Sequence, residues 1–123
     1  MLRVGTTVLG VDDLRRAIAF WMQALDYVLR REPDDETFAI LDPPDGTGAA
    51  LALMLSETPV QDHPRIHLDL YAGDSGDQAA EVERLVGLGA QRVEWDGYEP
   101  GDDFVVLADT EGNRFCVIDT GGH

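Results

Sequence analysis

The sequence predicts an α+β fold in which one βαβββ module is written twice, and three observations predict it. Phe104 to Ile118, FVVLADTEGNRFCVI, has the form of a β-hairpin: an apolar run, a polar turn and a second apolar run. The same wording occurs earlier as FAILDPPDG at Phe38 to Gly46, and both Phe104 − Phe38 and Gly112 − Gly46 give 66 positions. A hairpin repeated half a chain apart marks a duplicated module. Finally, two stripes with helical spacing each follow one strand-like segment and precede three more.

Taken in order, Leu2 to Leu9 is rich in β-branched residues and predicts the first strand. Asp12 or Asp13 then caps a helix, because a short carboxylate can accept from the free N–H groups of the first turn. Leu14, Ala17, Ile18, Trp21, Met22 and Leu25 form one apolar stripe that should face a sheet. Tyr27 to Arg31, Phe38 to Leu41 and Ala50 to Leu55 predict three strands, with the Pro- and Gly-bearing turn Asp42 to Gly48 before the last. The stretch SETPVQDHP has two prolines and no periodicity, so module one spans 1–57, a linker 58–64 and module two 65–120.

Module two repeats the order. Arg65 to Tyr71 alternates, with Ile66, Leu68 and Leu70 on one face and His67, Asp69 and Tyr71 on the other. Asp74 or Ser75 caps the second helix, Ala79, Val82, Leu85 and Val86 form its stripe, and Gly89 suits its C-terminal turn. Gln91 to Trp95 predicts a strand, Asp96 to Asp103 a loop, and the hairpin closes the module. Thr120 to His123 is expected to fray.

The chain has 123 residues and a net charge of −15. That field disfavours nucleic acid and anionic membranes and favours cationic ligands, or serves solubility alone. The longest apolar run, Ala49 to Leu55, is far short of a membrane span. One cysteine excludes an internal disulfide, and Asp12 and Asp13 break any signal-peptide pattern, so a cytoplasmic setting is expected. There is no P-loop, dinucleotide fingerprint or G-x-S-x-G.

Three segments resemble the glyoxalase / bleomycin-resistance / extradiol-dioxygenase group, the vicinal oxygen chelate superfamily, and its glyoxalase-like branch in particular. They are TTVLGVDDLRRAIAFWMQAL at Thr6 to Leu25, RIHLDLY at Arg65 to Tyr71, and LADTEGNRFCVID at Leu107 to Asp119, where Thr110 replaces the family's usual Pro. The resemblance implies a curved, cupped mixed sheet with helices outside, a small-molecule pocket, and a homodimer. It also implies, for metal-using members, four ligand positions on the first and last strands of each module. Carried onto this chain, those positions are Thr6, a residue within Ala50 to Leu55, His67 and Cys116. Only His67 is a good match, so no metal or other cofactor is expected; a divalent ion, if used, would centre on His67.

His67 and Asp69 are the candidate catalytic pair: an imidazole that can move a proton, and a carboxylate that orients it. The alternative is a polar sheet face satisfied by ordinary hydrogen bonds. Cys116 is expected to be a buried small apolar residue, with its neighbour Arg114 pointing the other way. Asp109 and Asn113 are expected to make the turn. Asp102 and Asp103, with Trp95, Phe104, Tyr71, Thr6 and Cys116, are candidate pocket residues suited to a cation. The leading expectation is a metal-independent binding protein that sequesters a cationic small molecule. The alternatives are a lyase or isomerase using His67, and a structural or regulatory dimer with a vestigial pocket.

Overall fold

The computed structural model describes residues 1–94 and 103–121. The chain divides into two compact units, Met1–Pro59 and Val60–His123. The first contains β1 (Thr6–Val11), α1 (Leu14–Leu25), β2 (Val28–Leu29), β3 (Phe38–Asp42) and β4 (Ala50–Leu55). The second contains β5 (Leu68–Tyr71), α2 (Ser75–Leu88), β6 (Gln91–Arg92), β7 (Phe104–Ala108) and β8 (Arg114–Ile118). The element order is βαβββ twice, as expected.

Each unit has a four-stranded mixed sheet, ordered β1-β4-β3-β2 in one and β5-β8-β7-β6 in the other. In each, the first strand runs parallel to the last and the remaining pairs are antiparallel. A parallel neighbour cannot be reached by a tight turn, and the helix supplies the crossover.

Asp13 begins α1, its carboxylate accepting from the Arg16 N–H at 3.1 Å. The helix ends at Asp26, which takes a left-handed φ of 57°, a conformation Asp tolerates better than most residues. Leu14, Ala17, Ile18 and Trp21 are buried as the stripe predicts. Phe20, outside that stripe, is buried too, and its ring meets Trp21 edge-on at 5.1 Å. The helix packs on β3 and β4, where Ala39, Leu41, Leu51 and Leu53 are buried. Each large apolar side chain so buried is worth about 1.5–3 kcal/mol.

In the second unit, Asp74 caps α2 by accepting from the Asp77 N–H at 2.9 Å. Gly89 ends it at φ 122°, where an added Cβ would also lie 2.9 Å from the Thr110 methyl. Val82 and Leu85 are buried, and the helix packs against β8, whose Phe115 and Val117 are buried as well.

Several expectations need correction. β1 starts at Thr6 rather than Leu2, and the apolar side chains before it are exposed, Val4 at 76%. β5 starts at Leu68, which leaves His67 just ahead of the strand. Thr120 and Gly121 are not frayed: both N–H groups donate to the Gly73 carbonyl, at 2.5 and 2.7 Å. Trp95 and Asp102 lie outside the described residues. Among the described residues, no helix is long and apolar enough to cross a membrane.

Candidate functional site in the second sheet

Side chains on paired strands project to the same side at each register position, and alternate along each strand. One face of the second sheet therefore carries two neighbouring rows. Tyr71, Ile118 and Phe104 form the first, and Asp69, Cys116 and Val106 the second. His67 extends the face beyond the strand, because its Nε2 reaches Asp69 Oδ1 at 3.0 Å.

The rows differ in chemistry. Tyr71 is 77% exposed and offers an aromatic surface beside Ile118 and the half-buried Phe104. Asp69 remains half exposed, while Cys116 is buried. Burial, then the negative charge of Asp69 and its hydrogen bond with the thiol, push Cys116 up to about 11. At neutral pH the group is a thiol, not a nucleophilic thiolate. Cys116 is buried as expected, and the Asp69 partner was not foreseen.

Arg114 corrects a second expectation. It is two residues from Cys116, so strand alternation places both on one face. Its guanidinium is held elsewhere: Nη1 donates to the Glu94 carbonyl at 2.7 Å, and Nη2 lies 3.6 Å from Asp62. Asp109 is the turn-maker expected, buried and accepting from the Glu111 and Asn113 N–H groups at 2.8 and 2.9 Å. Asp103 is exposed, and its backbone carbonyl accepts from Gln78 Nε2 and the Asp119 N–H.

The two sheets can be aligned through their hairpins. Phe38 pairs with Met54, and Phe104 with Ile118. Stepping from these pairs, Ala52 occupies the place of Cys116, Val8 that of Asp69, and Thr6 that of His67. The family's second ligand position, left open within Ala50 to Leu55, is therefore Ala52. Ala52 has no donor atom, and Thr6 has only a hydroxyl. The residues present do not fit the four-residue metal centre that the resemblance implies.

The structure brings His67, Asp69, Tyr71, Phe104 and Cys116 to one face. Thr6 belongs to the other unit. The neighbours missed in the sequence, Val106 and Ile118, are found only once the β5–β8–β7 register is known.

A duplicated βαβββ chain with donor side chains gathered on one sheet face has the architecture of the vicinal oxygen chelate superfamily. A model of the glyoxalase-like domain matches residues 6–118, and the chain belongs to that family. Among solved structures it is similar to a glyoxalase-related enzyme from Fulvimarina pelagi, at 19% identity and TM-score 0.73, covering 98% of this chain and 89% of that one. A glyoxalase/bleomycin resistance protein/dioxygenase family enzyme from Burkholderia phytofirmans PsJN gives 18% and 0.73, covering 96% and 98%. The fosfomycin resistance protein FosX from Listeria monocytogenes gives 17% and 0.69, covering 97% and 90%. These likenesses show the fold. No curated protein matches the chain.

Proposed function

We propose that this chain binds a cationic, partly aromatic small molecule on the His67–Asp69–Tyr71 face, without the family's four-residue metal centre. The observation that carries this reading is the pairing of two rows: an exposed tyrosine flanked by Ile118 and Phe104, next to a half-exposed carboxylate. An ammonium or guanidinium group would sit on Asp69 and against the Tyr71 ring, while the ligand's apolar part covers the first row. The net charge of −15 raises the local concentration of such a ligand.

The test is thermal melting with phenethylamine and with its uncharged alcohol counterpart. The amine should stabilise the protein, by about 2.7 kcal/mol at a hundred times its dissociation constant. Asp69→Asn should remove most of that shift. Equal stabilisation by the neutral alcohol, or none by either compound, would overturn the reading.

A second reading rests on the 3.0 Å contact between His67 Nε2 and Asp69 Oδ1. A carboxylate at that distance can orient an imidazole, as a general base for a carbon acid next to a carbonyl requires. On this reading the chain is a lyase or isomerase, His67 takes the proton, and Asp69 positions it. Turnover of the identified substrate at the unmutated rate by His67→Ala would sink this alternative.

A further inference from the structure

The first module holds a cavity of its own, independent of the face described above. Its volume is about 250 Å³, and it is lined by the connection from β2 to β3 and the first half of β3. Phe38 and Ile40, two residues apart on one face of β3, and Pro33 in the connection give it apolar walls. The rest of its lining is mostly charged. We propose that this cavity binds a small zwitterionic α-amino acid with an aliphatic side chain, its carboxylate on Arg31 and its ammonium on Asp34.

The charges that line the cavity give the ligand class. Arg30 is committed, because Nε and Nη2 donate to the two carboxylate oxygens of Asp42 at 2.8 and 2.7 Å. Glu32 accepts from Arg15 Nη1 at 3.0 Å. Asp35 accepts from the Thr37 N–H and hydroxyl at 3.2 and 2.5 Å. Arg31 and Asp34 are exposed, and among the described residues neither side chain has a hydrogen-bond or ion-pair partner. One uncommitted charge of each sign is left over the apolar wall. That pattern matches an ammonium and a carboxylate carried by one molecule, and it favours neither a plain cation nor a plain anion.

Size and rigidity agree with that class. Pockets for drug-sized ligands run to roughly 300–1,000 Å³, and this cavity falls just short, at the scale of one amino acid. The ligand's aliphatic part would cover Phe38, an exposed ring, and Ile40. The wall is held in place from α1. Arg15 reaches Glu32 and also binds Glu36 through two bonds, from Nε at 2.8 Å and from Nη2 at 2.6 Å. Glu36 has φ 64°, a left-handed conformation that costs a non-glycine residue energy and persists only where the surroundings fix it. A wall fixed before the ligand arrives lowers the ordering cost of binding.

The experiment is calorimetric titration of the full chain with L-leucine, with 4-methylpentanoate, which lacks the amine, and with isoamylamine, which lacks the carboxylate. Leucine should bind saturably in the millimolar range or tighter, and each analogue roughly tenfold more weakly or worse. Arg31→Gln and Asp34→Asn should each weaken leucine by a similar factor. Both side chains are exposed and unpartnered, so an unchanged melting midpoint without ligand verifies that the variants fold. No saturable leucine binding, equal affinity for an analogue lacking one charge, or unchanged affinity in Arg31→Gln would overturn the site. Asp69→Asn should leave leucine binding intact; its loss there would move the ligand to the second sheet and overturn the site as well. The phenethylamine shift should survive in Arg31→Gln, so this site and the organic-cation reading can fail separately.

Discussion

Val8 and Asp69 hold the same place in two sheets built to one plan. Each lies on the first strand of its module, opposite the last strand, with similar exposure: 48% for Val8, and 48% for the Asp69 side chain. Their neighbours correspond as well, Ala52 with Cys116 and Ile40 with Val106. Yet the first module's face reads Thr6, Val8, Ala52, Ile40, while the second reads His67, Asp69, Cys116, Val106. The backbone plan is therefore indifferent to the chemistry mounted on it. Helix packing uses the residues of the opposite face, so the exposed positions of this face, Val8 and Asp69, can differ without disturbing the helix contacts, whereas Ala52, Cys116 and Val106 are themselves buried.

The turns after β3 and β7 show the same divergence, and they give the largest expected effect. Asp109 is buried and binds two N–H groups of its own turn, whereas Asp45 is exposed and binds the Thr47 N–H and hydroxyl. Asp109→Ala would leave the Glu111 and Asn113 amides without that acceptor. Chemical denaturation should then show a loss of about 2–4 kcal/mol. Asp45→Ala, in water-exposed surroundings, should leave the unfolding midpoint nearly unchanged. Equal effects from the two substitutions would break the comparison.

The next effect is a pH dependence confined to the second module. The Cys116 thiol stands at about 11 in the folded chain and near 9 in the unfolded one. Between those values the folded state retains a proton that the unfolded state has lost. Stability is thus fully present below pH 9 and is lost as pH rises toward 11, by on the order of 1–3 kcal/mol. The measurement is urea unfolding at several alkaline pH values, and Cys116→Ala should flatten the curve. Asp69→Asn should lower the thiol toward its ordinary value and speed its alkylation at pH 8. The reciprocal substitution, Ala52→Cys, adds volume at a position with no exposed surface and should cost about 1–3 kcal/mol at neutral pH.

Much of the fold was legible in local pattern. The stripe of α1, the caps at Asp13 and Asp74, and the hairpin at Phe104 to Ile118 depend on residues close in sequence, while of the expected α2 stripe Val82 and Leu85 are buried and Ala79 and Val86 are exposed. The first strand was less so: Leu2 and Val4 look like strand residues, but β4 begins at Ala50 and gives β1 partners only from Thr6 onward. The offset of 66 also breaks at the turn. β3 and β4 are joined by 50 − 42 − 1 = 7 residues and β7 and β8 by 114 − 108 − 1 = 5, so the last strands are offset by 64. Of the candidate site, His67, Asp69 and Tyr71 followed from alternation in one strand. The partner of Asp69 did not, because Cys116 is 47 positions away and parallel register leaves no mark in local sequence.

The smallest expected effect sharpens the comparison most directly. Val8→Asp mounts on the first module the carboxylate that Asp69 supplies to the second. Val8 is half exposed, so the cost should be limited to lost β-propensity and side-chain contact, under about 1 kcal/mol by thermal or urea unfolding. Its new carboxylate would have Thr6 and Ala52 beside it rather than an imidazole and a thiol. A larger loss of stability would mean that the first module's face is tightly packed in the folded protein.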